Sequence, residues 1–294
     1  MPETKLYSRV KEIINDKIHG STTIAVNLLT FLSDELMYVD LNKAIRIIDE
    51  VQRIVEERSS MVLPSNLIYV LKKTIELSSS IEEKTDIVKI SKLLLSSYVE
   101  DTTKAVENSV EVLKDCKRIF TLSYSSQITR ILERTPAVEV CITTGWPLLD
   151  GYRAFREFRS KGLGAKIYPD SSIYEAISSS EAVILGCDAV LMDGSSVNRS
   201  GSKAVALICH DLSIPLYIVC DSMKLDFRSF WNPETWLYTF EEEEMRFQVF
   251  EKIESGYVSS YISNLGFHTP RVFLDEALRK IENYPYELLH RQTH

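Results

Sequence analysis

AVILGCDAVLMDGSSVNRSGS, residues 182–202, is the stretch around which the rest of the chain is organised. It opens with an apolar run that is rich in β-branched residues and too short for a helix, which predicts a buried strand. Gly186 and the Asp-Gly pair at 193–194 then predict tight turns, because glycine adopts backbone angles that other residues avoid. A helix follows, and Ser200 or Ser202 is placed to cap it.

The order of these elements places polar side chains where an anion can bind. Asp188 and Asp193 come near strand ends, and Asn198 and Arg199 come just before the start of a helix. Free backbone N–H groups and a cation at such a point attract phosphate or carboxylate. The alternative is a surface loop whose aspartates only form turns, and the stretch alone leaves both interpretations open.

Strands and helices alternate on both sides of this stretch, from about residue 115 onward. Short apolar strands are predicted at CKRIFTLS, AVEVCITT, AKIYP, VILGCDAVLM and PLYIVC, with helical segments between them. This alternation predicts an α/β fold with a Rossmann-like parallel sheet, in which sites lie at the carboxyl ends of strands. That rule selects the segments 123–125, 143–146, 169–171, 188–199 and 221–224.

The first hundred residues have a different period. Apolar residues recur at three- and four-residue steps from about residue 3 to 105, which predicts a bundle of helices. We therefore predict a helical N-terminal domain at residues 1–110, followed by the Rossmann-like α/β domain at residues 111–294. The acidic run Glu241–Glu244 is predicted to be a solvated loop or helix face, and a final helix closes the chain.

Composition narrows the function classes. The net charge of −8 argues against direct binding to nucleic acid or to an anionic membrane, because both need a basic face. No apolar stretch approaches the ~20 residues of a spanning helix and no signal peptide is recognised, so a cytoplasmic protein is expected. The five cysteines and five histidines lack ligand spacing, and no GxGxxG follows a strand. No metal and no cofactor are therefore expected.

Several motifs, in order along nearly the whole chain, resemble one protein family. GCDAVLMDGSSVNRSGS resembles GAD-x(4)-NG-x(3)-NKIGT. That stretch is shared by the alpha, beta and delta regulatory subunits of translation initiation factor 2B and by isomerases of methylthioribose 1-phosphate and ribose 1,5-bisphosphate. Further matching segments are KIHGSTTIA (17–25), Arg58-Ser59-Ser60 with Asn66, Thr121–Ser125, GWPLLDG (145–151) and GYVSSYISNLGFHTP (256–270). The resemblance implies a dimerising Rossmann-like domain and an interdomain cleft for a sugar phosphate or nucleotide.

The resemblance does not by itself separate enzyme from factor. In the isomerases a cysteine and an aspartate move the proton or hydride, and these positions correspond to Ser123 and Asp188 in this chain. A hydroxyl without an adjacent base does not replace a thiolate, so the two are catalytic candidates only if the chain is an isomerase. The family loop ESRPLLQG has Thr144, Trp146 and Asp150 in place of glutamate, arginine and glutamine, which weakens a site for a doubly charged phosphate.

Cys187 directly precedes Asp188 and is a candidate to replace the missing thiol. Neighbouring residues of a strand point to opposite faces, so these two side chains are not expected to face one substrate. Cys187 is therefore predicted to be a buried structural thiol.

The resemblance favours a non-catalytic regulatory subunit of the initiation factor 2B type, of the archaeal kind. It would be a homodimeric scaffold whose expected partner is the alpha subunit of initiation factor 2. The alternative is an aldose-phosphate isomerase acting on ribose 1,5-bisphosphate or a related sugar 1-phosphate. The residues expected to bind a phosphorylated small molecule are His19, Gly20, Arg58, Tyr124, Ser125, Asn198, Arg199 and Lys224. Convergence of the cations among them predicts an anion site, whereas Trp146 in that space predicts a closed scaffold.

Overall fold

The N-terminal part of the molecule is helical. The structure is a computed structural model that describes residues 3–16, 19–57, 62–78, 84–136, 138–228 and 230–292. Arg58, a predicted ligand-binding residue, lies outside the described residues, as do the motif residues Lys17, Ser59 and Ser60. The first five helices are α1 (Glu3–Ile14), α2 (Ser21–Leu36), α3 (Leu41–Glu56), α4 (Leu63–Leu77) and α5 (Lys84–Leu113).

Helix α3 shows why these segments are helical. Asp40 caps its start by accepting a hydrogen bond of 2.9 Å from the backbone N–H of Lys43. Its buried side chains recur every three or four residues and pack toward the other helices: Ala44, Ile47, Ile48, Val51, Ile54 and Val55. The predicted domain boundary at 110–111 falls inside the last turns of α5 and stays a prediction.

The C-terminal part alternates strands and helices. Its helices are α6 (Ser126–Arg134), α7 (Asp150–Ser160), α8 (Ile173–Ser178), α9 (Ser202–Leu212) and α10 (Pro270–Gln292). Its strands are β1 (Arg118–Thr121), β2 (Glu139–Thr143), β3 (Gly164–Tyr168), β4 (Ala182–Leu185), β5 (Ala189–Leu191), β6 (Ser196–Arg199), β7 (Leu216–Val219), β8 (Leu225–Asp226), β9 (Thr235–Phe240), β10 (Glu243–Gln248), β11 (Phe250–Ile253), β12 (Ser260–Ser263) and β13 (Gly266–His268).

The main sheet has the order β13-β12-β7-β4-β1-β2-β3. All of its strand pairs are parallel except β12 with β13, so the prediction of an α/β fold with a Rossmann-like parallel sheet after a helical segment is confirmed. The chain reverses direction across the sheet between β1 and β4, and their carboxyl ends lie side by side there. Parallel sheets bind ligands at such a point.

The stretch 182–202 is divided between two sheets. VILGCDAVLM forms both β4, in the main sheet, and β5, in a smaller sheet of order β11-β6-β5-β8. Asn198 and Arg199 form the end of strand β6 and come just before the start of helix α9, as predicted. The strand pairs with β11, which places Asn198 opposite Glu251.

The start of helix α9 differs from the prediction. Its capping residue is Gly201, at a φ of +94° that favours glycine, and neither Ser200 nor Ser202 caps the helix. The carboxylate of Glu251 accepts hydrogen bonds from the backbone N–H groups of Gly201 (3.0 Å) and Lys203 (2.9 Å). The protein's own Glu251 carboxylate therefore occupies the helix start where the sequence predicted a bound phosphate or carboxylate.

Strands β9 and β10 form a separate hairpin. The acidic run Glu241–Glu244 is exposed as expected: its first two residues form the turn, which agrees with the predicted loop, and its last two begin β10. The hairpin contacts the loop before α7, where the ring of Trp146 meets those of Tyr238 (6.0 Å) and Phe240 (5.8 Å) edge to face.

One cluster of buried apolar side chains joins the helices to the sheets. It runs from Leu29 and Leu67 in the helical part through Val190 in β5 to Tyr261 in β12 and Phe273 in α10. A second cluster fills the opposite face of the main sheet, under α6 and α7. Within the described ranges, no helix is both long and apolar enough to cross a membrane.

Candidate functional site

A cavity of about 280 Å³ lies between the helical part and the carboxyl ends of β1 and β4. The predicted site residues that line it are Gly20, Ser123, Tyr124, Ser125, Asp188, Asn198, Arg199 and Lys224. They come from the start of α2, from the ends of β1 and β4, from β6 and from the turn Ser222–Lys224. Segments far apart in the chain thus converge on one space.

Three other residues singled out from the sequence remain, of which two lie outside the lining and one is not described. His19 precedes Gly20 but is not among the lining residues, and its ring Nδ1 lies 2.7 Å from the Asp16 carboxylate. Arg58 lies outside the described residues. Trp146 does not fill the cavity, because its ring packs on the β9–β10 hairpin and stays half exposed. The cavity is therefore open, as an anion site requires.

Two helices begin at the cavity wall. Gly20 is the N-cap of α2, with no side-chain cap, and Ser21 and Thr22 line the cavity in the first turn. Ser125 caps α6 by accepting a hydrogen bond from the N–H of Ile128. The N-terminus of a helix carries partial positive charge, so both starts favour a negatively charged ligand.

Ser123 holds an unusual backbone conformation. It follows β1 directly, is 7% exposed and has a φ of +62°, in the left-handed region that non-glycine residues rarely adopt. Such backbone strain clusters at functional sites. The conformation places the residue at the cavity wall beside Tyr124, where the resemblance puts the isomerases' cysteine.

Lys224 is a buried cation in the wall. Its Nζ donates a 2.6 Å hydrogen bond to the carbonyl of Cys187. Burial lowers the pKa of Lys224, but the neighbouring Asp221, Cys187, Asp188 and Cys220 together outweigh that effect, so the pKa lies above its usual value and the amine is charged. Asp221 is fully buried and accepts a hydrogen bond of 3.2 Å from the hydroxyl of Tyr98 on α5. Through Tyr98, the helical part thus donates a hydrogen bond to the carboxylate near Lys224.

Two buried donors at the cavity lack acceptors. The Nδ2 of Asn198, a residue that is 3% exposed, and one terminal nitrogen of Arg199 have no hydrogen-bond partner among the described residues. The Arg199 guanidinium lies over the rings of Phe250 (5.0 Å) and Trp236 (5.5 Å). Buried donors without acceptors cost free energy, so a bound ligand with oxygen acceptors would be stabilised there.

Several lining residues were not among the predicted catalytic and ligand-binding residues: Ser21, Thr22, Ser126, Leu148, Leu149, Asp150, Arg153, Gly186 and Cys187. Asp150 and Arg153 stand one turn apart at the start of α7 and share a helix face. Their three-residue spacing, directly after the loop that resembles the family's phosphate-handling loop, is the signal that identifies them.

Cys187 and Asp188 lie in a loop and not on the strand from which their opposite orientations were predicted. Residues 186–188 form the loop between β4 and β5, so the alternation of a strand does not apply, and both residues line the cavity. The thiol of Cys187 still has a structural role, since its Sγ donates to the carbonyl of Ala189 (3.0 Å). Burial raises the pKa of Cys187 to about 12.

Cys187 is expected to resist alkylation in the folded protein. A pKa of about 12 lies about three units above the ordinary thiol value of 9.0, so the thiolate is about a thousandfold rarer than usual at pH 8. Iodoacetamide labelling followed by peptide mass spectrometry should find Cys187 modified at least that much more slowly than in the urea-unfolded chain. Labelling at equal rates in both states would show that the thiol is exposed and activated.

The groups that line the cavity are suited to a polar, anionic ligand. Arg153, Arg199 and Lys224 supply positive charge, and Asp150 and Asp188 supply negative charge. Serine hydroxyls and the Asn198 amide supply neutral hydrogen-bonding groups. Across the part of the chain that the structure describes, no group of three or more His, Cys, Asp or Glu side chains is arranged to hold a metal ion.

Comparisons with known proteins agree with this architecture. The family described as "Initiation factor 2 subunit family" matches residues 17–270. A translation initiation factor eIF-2B subunit 2-like protein of Pyrococcus abyssi is 26% identical over 231 residues, which cover 74% of this chain and 80% of that protein. A ribose 1,5-bisphosphate isomerase of Archaeoglobus fulgidus is 24% identical over 186 residues, covering 63% of this chain and 57% of the isomerase. The crystal structure of the Pyrococcus horikoshii translation initiation factor eIF-2B shares the fold, with a TM-score of 0.83 at 21% identity, covering 93% of this chain and 100% of that one.

Proposed function

The chain belongs to the initiation factor 2 subunit family, and from that premise we propose that it is a non-catalytic regulatory subunit of the initiation factor 2B type. In this proposal it is a cytoplasmic homodimer that binds partner proteins, among them the alpha subunit of initiation factor 2. Its relatives include both eIF-2B-like proteins and sugar-phosphate isomerases. The choice between these two functions depends on the chemistry of the cavity.

The observation that carries the proposal is the serine at position 123. Isomerisation of a sugar phosphate needs groups that give and take a proton at neutral pH. Among the described lining residues there is no histidine beside Ser123, and Lys224 is protonated. The thiol of Cys187 is protonated too, because burial raises its pKa. Asp188 is then without the thiol that acts with the corresponding aspartate in the isomerases.

The cavity also supports a regulatory ligand. Two helix starts, a buried lysine and the unpaired donors of Asn198 and Arg199 surround it. These groups suit a phosphorylated small molecule, a nucleotide or a sugar phosphate, that the subunit senses without converting. The proposed ligand contacts are Gly20, Tyr124, Ser125, Asn198, Arg199 and Lys224, whereas His19 and Arg58 stay predictions from sequence.

A second candidate function is an aldose-phosphate isomerase. Asp188 favours it, because the carboxylate lines the same cavity as Ser123, and these are the two positions that correspond to the isomerases' catalytic pair. In that function Asp188 would act as acid and base, and Ser123 would replace the thiol.

A turnover measurement separates the two functions. We expect purified protein to leave methylthioribose 1-phosphate and ribose 1,5-bisphosphate unchanged over hours, as followed by phosphorus NMR, because the thiol acid is missing. Asp188→Asn serves as the control for any slow conversion. Formation of a ketose phosphate by the wild-type protein, lost in that variant, would establish the isomerase instead.

A further inference from the structure

We propose that Asp150 restricts the cavity to ligands that carry a single phosphate group. The inference rests on the proposed ligand-binding function of the cavity and specifies the class of ligand. It follows from where the Asp150 carboxylate lies, which cation it faces and how much positive charge is left for a ligand.

Asp150 is fixed in the cavity wall. It is the first residue of α7, and its Oδ1 accepts a 3.0 Å hydrogen bond from the backbone N–H of Gly151. The preceding loop folds tightly against it, since a Cβ added to Gly145 would collide with the carboxylate. The side chain is 19% exposed and borders the cavity. The negative charge is therefore held at one place, like a bound anion.

The cation that Asp150 faces is Arg199. Asp150 Oδ2 lies 3.6 Å from Arg199 Nε, and this is the only ion pair of Arg199 among the described residues. A guanidinium is the side chain that best recognises a phosphate. Because the carboxylate already faces Arg199, a phosphate placed there would meet both an attractive and a repulsive charge. Asp150 thus takes the place that a second phosphate would need.

The charges around the cavity suit one phosphate better than two. The described lining carries three cations, Arg153, Arg199 and Lys224, and two carboxylates, Asp150 and Asp188, and the buried carboxylate of Asp221 near Lys224 adds a third negative charge, so no large excess of positive charge is available to a second phosphate. A phosphate carries about 1.5 to 2 negative charges at pH 7, so a bisphosphate would add about twice that amount. The buried, unpaired Nδ2 of Asn198 offers a neutral donor for a hydroxyl or carbonyl oxygen. The fitting ligand has one phosphate and a neutral, oxygen-rich remainder.

The test compares ribose 5-phosphate with ribose 1,5-bisphosphate by isothermal titration calorimetry. We expect the wild-type protein to bind the monophosphate at least about tenfold more tightly, since charges held a few ångströms apart in a partly buried site interact strongly. Asp150→Asn keeps an oxygen for the Gly151 N–H but removes the charge. It is expected to tighten bisphosphate binding about 30-fold and monophosphate binding less than about fivefold.

Asp193→Asn is the matched control. It makes the same change in net charge at an exposed aspartate that pairs with Lys252 outside the cavity lining. The ratio of the two dissociation constants should stay at its wild-type value in this variant. Asp150→Gln, a neutral side chain one methylene longer, repeats the test in case Asp150→Asn does not fold.

The outcomes separate this inference from the function on which it rests. Equal binding of both ligands by the wild-type protein would overturn the role of Asp150 and leave a ligand-binding cavity. The same holds if the Asp150 variants keep the wild-type ratio or change it no more than Asp193→Asn does. Failure of both ligands to bind to the wild-type protein and to the folded Asp150 variants would overturn the ligand-binding cavity and the inference together.

Discussion

Asn66→Asp is expected to lower the free energy of unfolding by about 4 kcal/mol, because two buried hydrogen bonds are replaced by repulsion. Asn66 lies on α4, and its Nδ2 donates one hydrogen to the carbonyl of Met223 (2.7 Å) and the other to that of Leu225 (2.8 Å). An aspartate oxygen at that position would face both carbonyl oxygens with no hydrogen to donate. The two hydrogen bonds that join α4 to the turn carrying Lys224 would then be lost.

Asn108→Asp is the control for this prediction. Asn108 lies on α5 and also joins the helical part to the sheet, through a single 2.8 Å hydrogen bond from its Nδ2 to the carbonyl of Ser263. Because that side chain is only partly buried, a loss of about 1 kcal/mol is expected. Urea unfolding followed by circular dichroism gives both values. Equal losses of unfolding free energy in the two variants would show that the two hydrogen bonds of Asn66 stabilise the fold no more than the single one of Asn108.

Lys224→Met is expected to lower the free energy of unfolding by about 3 kcal/mol at pH 7, because removing this buried cation leaves the charge of the nearby buried Asp221 uncompensated. Asp221 is fully buried, and Lys224 is 4% exposed. The variant also removes the hydrogen bond that the Lys224 Nζ donates to the carbonyl of Cys187. Adding Asp221→Asn to Lys224→Met should restore part of the loss, since the uncompensated charge is then absent.

The loss in Lys224→Met should depend on pH in a definite direction. Burial raises the pKa of Asp221 and Lys224 opposes that effect, so removing Lys224 raises this pKa further. A carboxyl whose pKa is higher in the folded than in the unfolded state destabilises the fold as pH rises above its unfolded value. The difference from wild type should therefore be largest at neutral pH and shrink as pH falls toward 4. A constant difference, or no recovery in the double variant, would contradict the pairing.

The fold was predictable wherever the pattern is local. Apolar residues such as Ile47, Ile48 and Val51 recur with the helical period, and CKRIFTLS and AVEVCITT are short apolar runs between polar turns. Pairings between distant residues were not predictable. Glu251 reaches the start of α9 from 50 residues away, and Asn66 reaches Met223 across 157 residues. No periodicity encodes such contacts, because each depends on the assembled fold.

The site was predictable to the extent that strand ends determine it. Ser123, Ser125 and Asp188 follow neighbouring parallel strands, and the carboxyl ends of such strands meet at one edge. His19 was placed by resemblance alone, and Asp16, three residues earlier, holds its ring by a local hydrogen bond instead. The sequence identified Asp150 as a charge unfavourable to phosphate. Its ion pair with Arg199 was not predictable, because it joins two elements 49 residues apart in the chain.

The continuous apolar cluster limits how a ligand can reach the cavity. Separating the helical part from the sheets would expose side chains such as Leu67 and Met223, which are both fully buried. Exposing each large apolar side chain to water costs about 1.5–3 kcal/mol, and the cluster contains dozens of them. The helical part and the sheets therefore do not swing apart on a hinge. Under the proposed function, we therefore expect a ligand to enter and leave without such an opening, at a rate set by diffusion and by breaking contacts inside the cavity.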